Sequence, residues 1–148
     1  MLATPDLHGI RVLVIEDEPI IGLMFEDVLL ELGCRVVGLA SNLQQAFDIV
    51  HSADGIDVAI LDVKLGKQSV YTIARELADR GIPLVFWTGM GAEGLPPEWR
   101  GCSAIPKPAT IRTVAEGLRQ ALGSRAPTAD QVAAGMLAAA PMPCGGND

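Results

Sequence analysis

Short apolar, β-branched runs alternate with helix-like segments five times along this chain. Residues 10–15 (IRVLVI), 35–39, 57–61, 84–87 and 102–106 have the length and composition of buried strands. Each is followed by polar start signals and most by a glycine stop. Asp17-Glu18-Pro19 opens a helix that runs to about Leu32 and stops at Gly33. Ser41 or Asn42 caps a second helix through about Val50, broken by Ala53-Asp54-Gly55. Ser69 can cap a third that ends at Gly81, and Thr110 starts one that ends near Gly123. Strict alternation of this kind predicts a parallel sheet covered on both faces, with right-handed crossovers. For five strands the expected class is an α/β, flavodoxin-like (βα)5 three-layer sandwich of order 2-1-3-4-5.

One stretch breaks the pattern. Residues 89–101 (GMGAEGLPPEWRG) are rich in glycine and proline, which disfavours a regular helix. The fourth helix is therefore expected to be short or disordered, with at most a turn around Pro96 to Arg100. Lys64 to Gln68 reads as a polar loop. The domain spans 9–123, after an N-terminal extension, 1–8. An Ala/Pro/Gly-rich tail, 124–148, follows, in which Thr128 to Ala140 has weak helical character.

The strand ends carry the chemistry. In an open parallel sheet ligands gather at the carboxyl ends of strands, at the point where strand order reverses. Here the first strand ends in Glu16-Asp17 and the third in Asp62. The fourth ends in Thr88-Gly89 and the fifth in Lys107-Pro108. On the expected topology three acids, a hydroxyl and an ammonium converge. Such a set suits a carboxylate nucleophile, a hard cation and a transferred phosphoryl group.

Composition narrows the alternatives. The chain has 148 residues and a net charge of −7, which argues against electrostatic binding to nucleic acid. The cysteines (three, widely spaced) suggest reduced thiols in a cytoplasmic protein rather than a disulfide framework or zinc site. No apolar run reaches the length of a membrane span, so no membrane partner is expected.

At these residues the chain resembles the bacterial response-regulator receiver domains, the CheY-like family. The resemblance covers roughly residues 9–123. A finer likeness is to stand-alone alphaproteobacterial receivers with a Phe-Ala-Thr-Gly-Tyr-type motif, here Phe86-Trp87-Thr88-Gly89-Met90. The chain departs from the family at Gly66, where a proline is usual, and at Ala104, where many receivers have an aromatic. Met90 and Gly91 stand where the finer motif ends in an aromatic.

The resemblance implies a single-domain response regulator of a two-component, His-Asp phosphorelay system. It makes Asp62 the phosphoacceptor and Mg²⁺ the cofactor. Asp17 and Asp62 would bind the metal directly, Glu16 through water, and Lys64 through its backbone carbonyl. Thr88, Gly89 and Lys107 would bind the phosphoryl group and switch with it, and Pro108 would follow a cis bond. The implied partners are a sensor histidine kinase or histidine phosphotransfer protein, and a downstream protein target. The resemblance also implies that the apolar start of the first helix would serve as a docking surface for the kinase. A homodimer through the side of the fourth and fifth helices is a further arrangement the family uses. Such a protein is no enzyme beyond its own phosphorylation and dephosphorylation.

Two other readings use the same residues. A receiver-like interaction module would never be phosphorylated. A phosphohydrolase of the haloacid-dehalogenase type would need a second aspartate two residues after the nucleophile, where this chain has Lys64.

Overall fold

Each expected run forms a strand, and the computed structural model describes residues 6–123. The elements are β1 (Arg11–Ile15), α1 (Pro19–Glu31), β2 (Arg35–Ala40), α2 (Leu43–Ser52) and β3 (Val58–Asp62). They continue with β4 (Lys64–Leu65), β5 (Gln68–Ser69), α3 (Tyr71–Asp79), β6 (Leu84–Thr88), β7 (Ser103–Pro106) and α4 (Ile111–Gly123). Five parallel strands form the main sheet in the order β2-β1-β3-β6-β7. This is the 2-1-3-4-5 order expected of a flavodoxin-like fold, once the small β4–β5 hairpin is set aside. The expected tail helix, 128–140, lies outside the described residues.

Strand periodicity divides the core into two layers. Leu13, Ile15, Ala59, Leu61, Leu84 and Phe86 point to one face, where α2 and α3 cover them. Val12, Val14, Val58, Ile60, Val85, Trp87 and Ile105 point to the other, under α1 and α4. Adjacent residues Phe86 and Trp87 thus enter opposite layers.

The helix ends show why these segments start and stop where they do. Pro19 occupies the first turn of α1, and Gly33, at φ 86°, stops it. The Asn42 side chain accepts a bond from the Gln45 backbone N–H at 2.9 Å, while Gln45 Oε1 accepts from Ser41 N at 2.7 Å. Thr110 and Thr113 exchange backbone-to-hydroxyl bonds of 2.8 and 3.1 Å across the first turn of α4. Val70 takes the N-cap position of α3 without a side-chain bond, while Ser69, paired in β5, accepts from the Tyr71 backbone N–H through its hydroxyl at 3.4 Å.

The expected polar loop at 64–68 is a tight hairpin. Lys64 pairs with Ser69 and Leu65 with Gln68. Gly66 turns it at φ 57°, a left-handed conformation that proline, locked at negative φ, cannot adopt. Leu65 is buried, which anchors the hairpin in the core.

Between β6 and β7 no α-helix forms. Two 3₁₀ turns, Gly91–Gly94 and Pro97–Trp99, take its place. The segment is docked nonetheless, for Leu95 and Trp99 are buried. Trp99 stacks on Tyr71 (5.9 Å) and meets Phe86 edge-on (5.7 Å), with the Arg75 guanidinium 5.1 Å over its ring. Cys34 is a buried free thiol.

Candidate functional site

Register alone brings the acidic corners together. Ile15 lies opposite Leu61 across the β1–β3 pair, so Glu16 follows at the level of Asp62. Asp62 in turn lies opposite Trp87 on β6, one residue before Thr88. Ligand oxygens of Glu16, Asp17 and Asp62 all lie within 4.8 Å of one another. Glu16, Asp62 and Thr88 are buried, whereas Asp17 is half-buried.

Lys107 completes the group from the end of β7. Its Nζ donates to Asp62 Oδ1 at 3.1 Å. The Lys64 backbone N–H donates to the same oxygen at 3.0 Å. Two donors therefore hold the Asp62 carboxylate in one rotamer. The Lys107-Pro108 peptide is cis, as expected. Thr88 Oγ1 accepts from Met90 N at 3.1 Å, which leaves its hydroxyl proton free to be donated. Gly89 is exposed, and a Cβ there would meet nothing within 4 Å. Asp17 Oδ2 lies 3.6 Å from where a Gly66 Cβ would stand, an ordinary contact distance, so the turn of the hairpin sits beside that carboxylate.

Glu16 is the electrostatic outlier. Its Oε2 accepts from Glu18 N at 2.9 Å, while Oε1 is buried without a partner. Burial raises its pKa to about 8; the bond from Glu18 opposes the rise, and the charge of Asp62 adds to it. Three crowded acids with an orphaned buried oxygen are a donor set that a hard divalent cation fits.

The sign of the Glu16 effect is testable. Between pH 4.5 and about 8 the unfolded chain releases this proton and the metal-free fold keeps it. Stability from this group is full below pH 4.5 and is lost as pH rises toward 8. The limiting slope is about 1.4 kcal/mol per pH unit. Urea denaturation in chelator should show this decline, and Glu16→Gln should flatten it. A decline unchanged in Glu16→Gln would assign it to other groups.

Glu16, Asp17, Asp62 and Lys107 are brought together at this corner, and Thr88 ends the neighbouring strand β6. One contact was not read from the strand ends. The Lys107 ammonium sits 4.3 Å from the ring centroid of Trp87. Nothing in one sequence signals that contact, because it joins the ends of neighbouring strands through the path of a flexible side chain. The first turns of α1 leave Ile20 80% and Leu23 54% exposed. Among the described residues no helix is long and apolar enough to cross a membrane.

Comparison with known proteins adds an independent line. The family model of the response regulator receiver domain matches residues 12–99. The solution structure of SdrG from Sphingomonas melonis Fr1 is 38% identical, with a TM-score of 0.65 over 74% of this chain and 93% of that one. The receiver (REC) domain of the Erythrobacter litoralis PhyR response regulator is 26% identical, with a TM-score of 0.71 over 84% and 99%. PhyR from Bartonella quintana, described as an anti-anti-sigma factor, is 28% identical with a TM-score of 0.69; the match spans 78% of this chain but 48% of that protein. No curated protein matches the chain.

Proposed function

The chain belongs to the response regulator receiver domain family, and we propose that it accepts a phosphoryl group on Asp62 within a His-Asp phosphorelay and signals by protein contact. The observation that carries this reading is the 3.1 Å pair between Lys107 and Asp62 beside a cluster of three carboxylates. A carboxylate oxygen of Asp62 attacks the phosphorus of a phosphohistidine. The P–N bond breaks, the imidazole leaves with a proton, and an aspartyl phosphate remains. Attack of water then restores the carboxylate and releases inorganic phosphate.

Asp17 and Asp62 would hold Mg²⁺ directly, with Glu16 through water and the Lys64 carbonyl as a further oxygen. When bound, the ion offsets the negative charge that develops on the phosphoryl oxygens. Lys107 would stabilise the same charge, and the Thr88 hydroxyl would donate to a phosphoryl oxygen. Gly89 leaves the approach open. The donor is a sensor histidine kinase or histidine phosphotransfer protein, docking on the exposed apolar start of α1 at Ile20 and Leu23.

We read Phe86-Trp87-Thr88-Gly89-Met90 as a variant of the Phe-Ala-Thr-Gly-Tyr-type motif. The 3₁₀ turns that replace the fourth helix support this. The likeness to PhyR, described as an anti-anti-sigma factor, makes an anti-sigma factor a candidate target.

Intact-mass measurement after treatment with acetyl phosphate tests the reading. With Mg²⁺ the protein should gain the mass of one phosphoryl group. In chelator the gain should fall by at least about tenfold in rate. Wild-type protein unchanged in mass with Mg²⁺ present, both from acetyl phosphate and from a phosphorylated kinase, would leave the interaction-module reading.

A further inference from the structure

We propose that Trp87 is a positioning residue for Lys107. Its indole face holds the ammonium against Asp62 and so sets how fast Asp62 gains a phosphoryl group. The rate claim rests on the assignment of Asp62 as acceptor; the contact itself does not.

Lys107 Nζ lies between two partners, 3.1 Å from Asp62 Oδ1 and 4.3 Å from the Trp87 ring centroid. A lysine on four rotatable carbons would otherwise sample many positions, and its side chain here is only 30% exposed. The ring face attracts the cation, and tryptophan does so better than any other side chain. Trp87 is itself fixed. Its ring is buried and meets Phe25 edge-on at 5.0 Å with an interplanar angle of 89°. The backbone register that sets Trp87 opposite Asp62 brings ring and carboxylate to the same level.

The indole N–H argues against a simple packing role. It is buried without a partner. A buried tryptophan normally finds an acceptor for this group, and leaving it unpaired is unfavourable. Phenylalanine or leucine would fill this layer without that penalty. What tryptophan adds is the face turned to Lys107. Charge that develops on an incoming phosphoryl group then meets an ammonium already in place, with no side chain to reorganise.

The test uses the full chain. Lysine ε-methylene protons over an indole face are shifted upfield, so NMR of wild-type protein should show that shift at Lys107, lost in Trp87→Leu. Phosphorylation from acetyl phosphate in Mg²⁺, followed by intact mass, should slow about tenfold in Trp87→Leu. Trp87→Phe keeps a π face and should recover most of the rate. In a Lys107→Met background Trp87→Leu should change the residual rate no further, because the two act as a unit.

An unshifted Lys107 methylene in wild-type protein overturns the contact. Equal slowing by Trp87→Leu in both backgrounds overturns positioning and leaves packing. Wild-type protein that takes up no phosphoryl group removes the acceptor assignment and the rate claim with it, while the NMR shift still judges the contact.

Discussion

Asp62→Asn should reduce uptake of a phosphoryl group from any donor by a hundredfold or more, on the order expected for loss of a nucleophile. The amide is close to the carboxylate in size, so the β3 end keeps its shape. It lacks the charge that attacks phosphorus and that pairs with Lys107 at 3.1 Å. Intact mass after acetyl phosphate and Mg²⁺ is the measurement. The variant should also fold, because Asp62 lies outside both apolar core clusters. Phosphorylation of Asp62→Asn at the wild-type rate would place the acceptor elsewhere and remove the functional reading.

Trp99→Ala should have the largest effect on stability. Trp99 is 2% exposed and touches Tyr71, Phe86 and Arg75 together. Truncating a buried tryptophan to alanine costs about 3–5 kcal/mol. For a domain of this size that lowers Tm by roughly 10–20 °C. Trp99→Phe should recover part of the loss, since a smaller ring still meets Phe86. The Arg75–Glu98 pair (3.0 Å) is exposed at both ends and adds little by comparison. A change in Tm below about 3 °C for Trp99→Ala would mean that the 91–101 segment is not docked as described.

Much of this was legible in the residue order because local and global preferences agree. Runs such as VLVI and VAIL specify strands, and glycines at 33 and 81 stop helices with positive φ. The strand-end chemistry followed from topology, since Glu16, Asp17, Asp62, Thr88 and Lys107 all lie at carboxyl ends. Less legible was anything decided by long-range contact. Lys64 to Ser69 looks like loop because two-residue strands have no periodicity to detect, and burial of Leu65 decides the outcome. Residues 89–101 look mobile by composition. Trp99 docks them because Tyr71 and Phe86, from distant parts of the chain, form its seat. The raised pKa of Glu16 depends on burial, which one sequence does not display.

The 3₁₀ segment between β6 and β7 has a consequence for how such a surface can diverge. A helix ties each exposed residue to a repeating geometry, so altering its outer face risks its inner one. This segment is instead pinned at Leu95 and Trp99, and Met90, Glu93 and Pro97 stand exposed around those pins. Their identities can be exchanged without repacking the interior. The domain thus separates the packing of its interior from the side chains it displays on this rim.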